Sequence, residues 1–147
     1  MTDNRDPQAL AVACCEALKR GDGLIQQLGI SIDRVDAGAA QLSMTVLDWM
    51  TNGHGSCHGG MIFSLADSAF AFACNSENRP NVAASVTIDY LNAAQTGELL
   101  IAKANRTAQR GRTGIYDIQI ENSDGKLIAL FRGKSHELNG QILKNSN

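Results

Sequence analysis

Residues 51–77 read TNGHGSCHGGMIFSLADSAFAFACNSE and contain the longest apolar run of the chain. From Gly59 to Cys74 this run is apolar on nearly every helical face, which is typical of a helix that is buried on most sides. We therefore predict a central helix over residues 59–75. Asp67 interrupts the run, and His and Gly residues precede it, so the segment is a poor candidate for a membrane span.

Alternation of polar and apolar residues predicts β-strands on both sides of this helix. Two short strands are expected between residues 29 and 47, and a turn at residues 36–38 joins them. After residue 82 only strands are predicted, near residues 82–90, 98–108, 112–121 and 126–137, and the last two are joined by a turn at residues 123–125. An antiparallel sheet of about five to six strands packed on one long helix is an α+β architecture.

An additional N-terminal helix is predicted over residues 6–20. Asp6 is a suitable N-cap, Pro7 occupies the first helical position, and basic residues precede Gly21 at the far end. The chain has 147 residues, with only two prolines and no evident linker or repeat. We therefore predict a single domain over residues 1–147.

Charge and cysteine content exclude several classes of protein. Lys and Arg number 13 against 15 for Asp and Glu, whereas nucleic-acid-binding proteins usually show a basic excess. The start of the chain, MTDNRDPQAL, does not resemble a signal peptide. The four cysteines include no Cys-x-x-Cys pair, so neither a disulfide framework nor a structural zinc site is predicted. We expect a cytoplasmic protein that binds neither nucleic acid nor membrane.

Asp67 is the first candidate for chemistry, because it lies in the middle of the apolar helix. A buried carboxylate is costly unless it is hydrogen-bonded or paired with a cation. One interpretation is a structural carboxylate whose bonds are satisfied. The other is a nucleophile or general base that the protein holds in a sheltered pocket.

The segment before the helix is the second candidate. Asn52, His54, Cys57 and His58 precede the Gly59-Gly60 pair at the predicted helix start. Backbone N–H groups are free at a helix N-terminus, and small glycines leave them accessible to an anion or a developing oxyanion.

The spacing of these two candidates has a consequence for assembly. Gly59 and Asp67 are eight residues apart, which places them about 12 Å apart along one helix. They cannot act on the same carbonyl within one chain. An antiparallel copy of the helix across a two-fold axis would bring Asp67 of one subunit to Gly59 of the other. If both groups are catalytic, the enzyme is at least a homodimer.

Other chemistries use the same segment. Cys57 is an alternative nucleophile, with His54 or His58 as its base. The same three residues are an alternative metal site, although zinc sites generally recruit further ligands. Activity that survives a Cys57→Ala substitution and a chelator would exclude both.

A basic cluster is predicted at the turn between two of the later strands. It contains Arg106, Arg110 and Arg112, together with Gln109, Gly111 and Thr113. Such a cluster is either a solvated turn or a site where Arg and backbone N–H groups recognise phosphate. A ligand with several phosphates, such as coenzyme A, would need such a patch near the mouth of its pocket.

The block NGHGSCHGGMIFSLAD, residues 52–67, resembles the signature of the PaaI-type hotdog-fold thioesterases of phenylacetate degradation. Further matches are AFA at 69–71, ACNS at 73–76, TGIYDI at 113–118 and ALFRGKSH at 129–136. The resemblance runs from about residue 10 to about residue 140. The HGG and LAD motifs are shared by the wider family, whereas the last two stretches resemble the PaaI branch.

This resemblance implies a hotdog fold, in which a sheet wraps a central helix, and hydrolysis of an acyl-CoA thioester. It implies that Asp67 acts as nucleophile or general base and that the Gly59 N–H polarises the thioester carbonyl. Asn52 and His58 match positions that help to hold the carbonyl or the water. Ser68 follows the Asp where relatives often carry Thr, so the hydroxyl is kept.

The resemblance also implies ligands and partners. We expect substrate or CoA contacts from Gly60, Phe63, Arg110, Arg112 and Thr113. Ring-hydroxylated phenylacetyl-CoA thioesters are the implied substrates, and the implied assembly is a homotetramer of two hotdog dimers. No metal or redox cofactor is expected, because CoA is part of the substrate and of the product.

Two other functions remain open. One is a hotdog hydratase or dehydratase that acts on the acyl chain of a thioester, although the central helix carries no matching His. The other is a non-catalytic acyl-CoA binding or regulatory module, in which Asp67 only orders the pocket.

Overall fold

The computed structural model describes residues 3–144, which form a six-stranded antiparallel sheet with helices packed against it. The elements in chain order are α1 (Pro7–Lys19), α2 (Gly23–Leu28), β1 (Ser31–Asp36), β2 (Ala39–Thr45), a 3₁₀ turn (Asp48–Met50), α3 (Gly59–Cys74), β3 (Asn81–Tyr90), β4 (Leu99–Arg110), β5 (Thr113–Asn122) and β6 (Leu127–Glu137). The six strands lie in the order β1-β2-β4-β5-β6-β3. The helix α3 contacts all six of them, so the predicted α+β arrangement is confirmed.

Both predicted helices form at the expected places. The Asp6 carboxylate accepts hydrogen bonds from the backbone N–H groups of Gln8 and Ala9, and Pro7 begins α1. The short helix α2 was not predicted. It is capped by Asp22 and ends at Gly29, which adopts a left-handed conformation with φ 65°. Its six residues make fewer than two turns, too few for an apolar period to be recognised.

The strand β3 lies at an edge of the sheet. It follows α3 in the chain, crosses to the far side and pairs only with β6 among the described strands. By contrast, β4, β5 and β6 pair with their neighbours in sequence, as predicted. The outer edge of β3 therefore has backbone groups that no strand of the described chain covers.

The helix α3 is the centre of the core. Leu65, Ala66 and Ala69 are fully buried, and 1% of Phe70 is exposed. A Cβ at Gly133 would come within 2.7 Å of the Phe70 ring, so the sheet approaches the helix closely enough to require glycine there. With 16 residues, α3 is the longest helix among residues 3–144, and none of the helices there has the length and apolar character to cross a membrane.

One stripe of α3 remains half-exposed in the single chain. Gly60, Ser64, Asp67 and Ala71 lie on this stripe, at the spacing of three or four residues that places side chains on one helical face. The sheet of the same chain packs against the other faces of α3. Asp67 therefore lies on the one face of the central helix that the fold leaves open.

The register of the strands shows which loops lie at each end of the sheet. Tyr90, at the end of β3, contacts Gly59 at the start of α3. At the other end the backbone N–H of Asn81 donates to the Asn75 side chain, just after α3 ends. Thr113 and Val82 both pair with His136, so the β4–β5 turn lies at this second end. The start of α3 therefore lies at the opposite end of the sheet from the β4–β5 turn, residues 110–113, which we call the basic turn.

Candidate active site

The first turn of α3 contains one backbone donor without a partner. The His58 side chain caps the helix, and its Nδ1 accepts a hydrogen bond of 2.9 Å from the Gly60 N–H. The Met61 N–H bonds to the His58 carbonyl at 2.9 Å. Among residues 3–144 no acceptor faces the Gly59 N–H. Gly59 therefore offers a free donor at the positive end of a helix, where an oxyanion is stabilised.

The loop before α3 is held by Asn52. Its Oδ1 accepts hydrogen bonds from the backbone N–H groups of His54 and Ser56, at 2.9 and 3.2 Å. Its amide donates to the Ser56 hydroxyl at 3.1 Å. The backbone of Cys57 bonds to Ala94, which ties the loop to the segment after β3. In the single chain the Asn52 side chain shapes this loop.

A cleft opens in front of Gly59. Its volume is about 360 Å³, and its walls are Asn52, Ser56, Cys57, Gly59, Ile62, Tyr90, Leu91, Asn92 and Ala93. The Tyr90 hydroxyl donates a hydrogen bond of 2.9 Å to the Gly59 carbonyl. This contact was not predicted, because nothing in the sequence relates residues 31 positions apart, although Tyr90 carries an aromatic ring suited to such a wall.

Asp67 is half-buried and does not line this cleft. Burial raises the pKa of its carboxyl group, and neither a cation nor a hydrogen bond opposes that effect. A carboxylate whose pKa is raised by desolvation is a stronger base than one in water. The alternative of a structural carboxylate with satisfied bonds is therefore disfavoured within the described chain.

The remaining predicted residues of α3 lie near these groups in different environments. Ser68 is 8% exposed and faces the core, whereas the adjacent Asp67 faces outward. Phe63 is half-buried and packs edge-on against Phe131, with ring centroids 5.5 Å apart. The Gly60 N–H is occupied by His58. On the half-exposed side of α3, Gly59 and Asp67 therefore present polar groups that have no hydrogen-bond partner in the described chain.

The predicted basic cluster is only partly assembled. Arg106 lies within β4 and forms an ion pair with Glu77, rather than at the turn. Arg110 is exposed at the end of β4. The Arg112 guanidinium donates to the Asn139 side chain at 2.7 Å, which holds it beside the end of β6. Thr113 begins β5. Two arginines therefore remain at the turn, and Arg106 has a structural partner.

The cysteine and metal alternatives find little support. Cys57 is buried, and burial raises the pKa of its thiol to about 11, so the thiolate is scarce at neutral pH. His54 is exposed, and the Nδ1 of His58 is engaged by Gly60. Within residues 3–144, no three His, Cys, Asp or Glu side chains come together in a way that could hold a metal ion.

Comparison with known proteins places this geometry in a family. The thioesterase superfamily model matches residues 54–129. The chain is 49% identical to the acyl-coenzyme A thioesterase PaaI of Escherichia coli over 86% of this chain and 90% of that protein. The structure of the Escherichia coli PaaI protein from the phenylacetic acid degradation operon superposes with a TM-score of 0.91 at 46% identity, over 92% of this chain and 99% of that one.

A second structure agrees. A mutant of the phenylacetic acid degradation protein PaaI from Thermus thermophilus superposes with a TM-score of 0.77 at 34% identity, and it covers 80% of this chain and 100% of that one. The expected hotdog fold is thereby confirmed. The chain belongs to the thioesterase superfamily and, within it, to the PaaI-type hotdog-fold thioesterases.

Proposed function

We propose that this protein hydrolyses acyl-CoA thioesters to a free acid and CoA. The observation that carries the proposal is the pair of unused polar groups on α3, the Gly59 N–H and the Asp67 carboxylate. One is a donor suited to a carbonyl oxygen, and the other is a base without a cation. Relatives named as acyl-CoA thioesterases support the same activity.

In the proposed reaction, the thioester carbonyl oxygen accepts a hydrogen bond from the Gly59 N–H, which stabilises the negative charge of the tetrahedral intermediate. Asp67 either removes a proton from the attacking water or attacks the carbonyl itself, forming an anhydride that water then hydrolyses. In both routes the CoA thiolate leaves and takes up a proton. Water is the only other reactant and no atom changes its oxidation state, so the reaction needs no redox cofactor. In this proposal the Gly59 N–H supplies the activation of the carbonyl that a metal ion would otherwise provide.

We propose further that the two groups meet across a homodimer. Within one chain they are eight residues apart on α3, about 12 Å along its axis. Asp67 faces outward on the half-exposed stripe, and an antiparallel α3 of a second copy would pack against this stripe. The resulting site joins Asp67 of one subunit to Gly59 of the partner subunit.

The edge strand β3 supports this pairing. Its ten residues include no proline and no lysine, and most of them are exposed. Such an edge is a template for another strand, because its backbone groups lack partners within the sheet. Pairing of two β3 strands across a two-fold axis would join the sheets and place the α3 helices side by side. A homotetramer of two such dimers is the proposed assembly.

The same arrangement gives the basic turn a role. Arg110 and Arg112 lie at the end of α3 opposite to Gly59 of their own chain. In an antiparallel pair, that end faces Gly59 of the partner subunit. We therefore propose that Arg110, Arg112 and Thr113 bind the CoA phosphates at the site that contains their own chain's Asp67.

The proposed acyl groups are ring-hydroxylated phenylacetyl groups. The relative's origin in a phenylacetic acid degradation operon supports this class, and the Tyr90 ring supplies an aromatic wall in the cleft. Thiol release from phenylacetyl-CoA, hydroxyphenylacetyl-CoA and short and long aliphatic thioesters tests both chemistry and substrate. Wild type should act fastest on the hydroxylated ring, Asp67→Ala should be inactive, and Asp124→Ala, in an exposed turn, serves as control.

Thiol release from the aliphatic thioesters alone would support thioester hydrolysis and exclude the aromatic substrate class. Binding without release would favour the acyl-CoA binding module instead. Single turnover in isotope-labelled water tests the direct route. A label in the Asp67 carboxylate would establish that route, because it arises only when water opens an anhydride at the Asp67 carbonyl.

Subunit complementation tests the shared site. We expect Asp67→Ala chains to be inactive alone, and also Gly59→Pro chains, which lose the backbone N–H at a first helical position where proline is tolerated. A dimer of one chain of each kind contains one intact site of two. Random mixing should therefore restore about one quarter of wild-type activity. No recovery in mixed dimers, or a fully active monomer, would contradict the shared site.

A further inference from the structure

Tyr90 connects the end of β3 to the first residue of α3. Its hydroxyl donates to the Gly59 carbonyl over 2.9 Å. Its ring fills the space that a side chain at Gly59 would need, because a Cβ there would lie 3.2 Å from Cζ and from Oη of Tyr90. Tyr90 therefore restrains Gly59 by a hydrogen bond and by occupying the space beside its Cα.

This restraint acts on the first of the two glycines that begin α3. Two consecutive glycines begin α3, and glycine has more backbone freedom than any other residue. His58 restrains Gly60, through the bond from its N–H and through an imidazole that would lie 3.0 Å from an added Cβ. The Gly59 N–H has no acceptor in the described chain. It shares a planar peptide unit with the His58 carbonyl, which accepts from the Met61 N–H at 2.9 Å, whereas Tyr90 holds the next peptide unit through the Gly59 carbonyl. The two units meet at the Gly59 Cα, so Tyr90 restricts the backbone rotations that would turn this N–H.

We infer that Tyr90 is a positioning residue, which fixes Gly59 so that its N–H points into the cleft. The inference rests on the proposed function, in which this N–H polarises the thioester carbonyl. Tyr90 is suited to the role, since it is anchored in the sheet and its hydroxyl reaches the helix. Burial also raises the pKa of the phenol, which keeps it protonated as a donor at neutral pH.

The test is Tyr90→Phe, which keeps the ring and removes only the hydroxyl. We expect kcat to fall about three- to tenfold, the range that one lost hydrogen bond produces. KM should change by less than about twofold, because a donor that acts on the transition state contributes little to ground-state binding. The melting temperature should remain close to that of wild type.

Tyr116→Phe is the matched control. Tyr116 is the other tyrosine of the chain, packs against Phe70 and does not line the cleft. An unchanged kcat in Tyr90→Phe, or a fall no larger than in Tyr116→Phe, would overturn the inference. A rise in KM alone would also overturn it, because Tyr90 would then bind substrate rather than hold Gly59.

A second readout does not depend on activity. Hydrogen–deuterium exchange should become faster in the peptide that spans residues 58–64 of Tyr90→Phe and stay unchanged there in Tyr116→Phe. Unchanged exchange in both variants would overturn the inference, even if the proposed hydrolysis holds. A wild-type protein that releases no thiol while the exchange difference persists would instead refute the proposed function and leave the restraint on Gly59 in place.

Discussion

Replacement of Asp67 by asparagine should lower kcat and, at neutral pH, raise the free energy of unfolding. The side chain is half-buried, and burial alone raises the pKa of its carboxyl group. Asparagine keeps the shape and removes the charge. We expect kcat to fall by about 10²–10⁴-fold, the usual contribution of a general base, while the protein becomes slightly more stable at neutral pH.

The direction of the stability change follows from linkage. A carboxyl group with a raised folded pKa favours folding below its unfolded pKa, and this contribution is lost as pH rises through the folded pKa. At neutral pH the charged Asp67 carboxylate therefore lowers the free energy of unfolding of wild type, whereas the neutral amide in Asp67→Asn does not. Because the site is partly exposed and screened, we expect a gain below about 1 kcal/mol. For a chain of this size that corresponds to a rise in Tm of at most about 4 °C.

The assay is thiol release for kcat and thermal or urea unfolding for stability, measured from acidic to neutral pH. The gain of Asp67→Asn should vanish near pH values where both states of wild type hold the proton. Asp124→Asn, which replaces an exposed carboxylate, should change neither quantity. Near-normal turnover in Asp67→Asn would refute the catalytic assignment. A loss of stability at neutral pH would refute the argument that the carboxylate is buried without compensation.

Three further predictions test the core, the cysteines and the basic turn. Gly133→Ala should destabilise the fold by about 1–3 kcal/mol in urea unfolding, since the new Cβ would lie 2.7 Å from the Phe70 ring; a neutral effect would mean that the helix moves away freely. Burial raises the pKa of the Cys57 thiol to about 11, so iodoacetamide at neutral pH should label it slowly and leave hydrolysis intact; rapid inactivation would restore the cysteine alternative. Arg112→Ala should raise KM for a CoA thioester about three- to tenfold. It should not change KM for an N-acetylcysteamine thioester, because that substrate lacks the phosphates. The control variant Arg34→Ala, at an exposed strand position, should change neither KM value.

Most elements were predictable because their signals are local. The Asp6-Pro7 cap begins α1 through contacts within three residues, and the apolar run from Gly59 to Cys74 forms the buried helix with only one residue of error at its end. Alternation predicted the strands that form short hairpins, since each pairs with its neighbour in sequence. The helix α2 was missed because six residues contain too little periodic signal.

The predicted site was recognisable for a related reason. A carboxylate in the middle of an apolar helix and a Gly-Gly pair at its start are visible in one stretch of sequence. Their separation along α3 follows from helix geometry alone. The basic turn was predicted less well, because Arg106 has the same chemistry as Arg110 and only the fold pairs it with Glu77.

The sequence by itself determined the central helix, the position of Asp67 on it, the donor at its start and the family resemblance, because these depend on residues close together in the chain. Only the tertiary structure decided which face of α3 stays open, that β3 crosses to the far edge, and that Tyr90 contacts Gly59. Those features arise from packing between segments distant in sequence. Their register depends on how the whole sheet curves around the helix, and no local pattern encodes it.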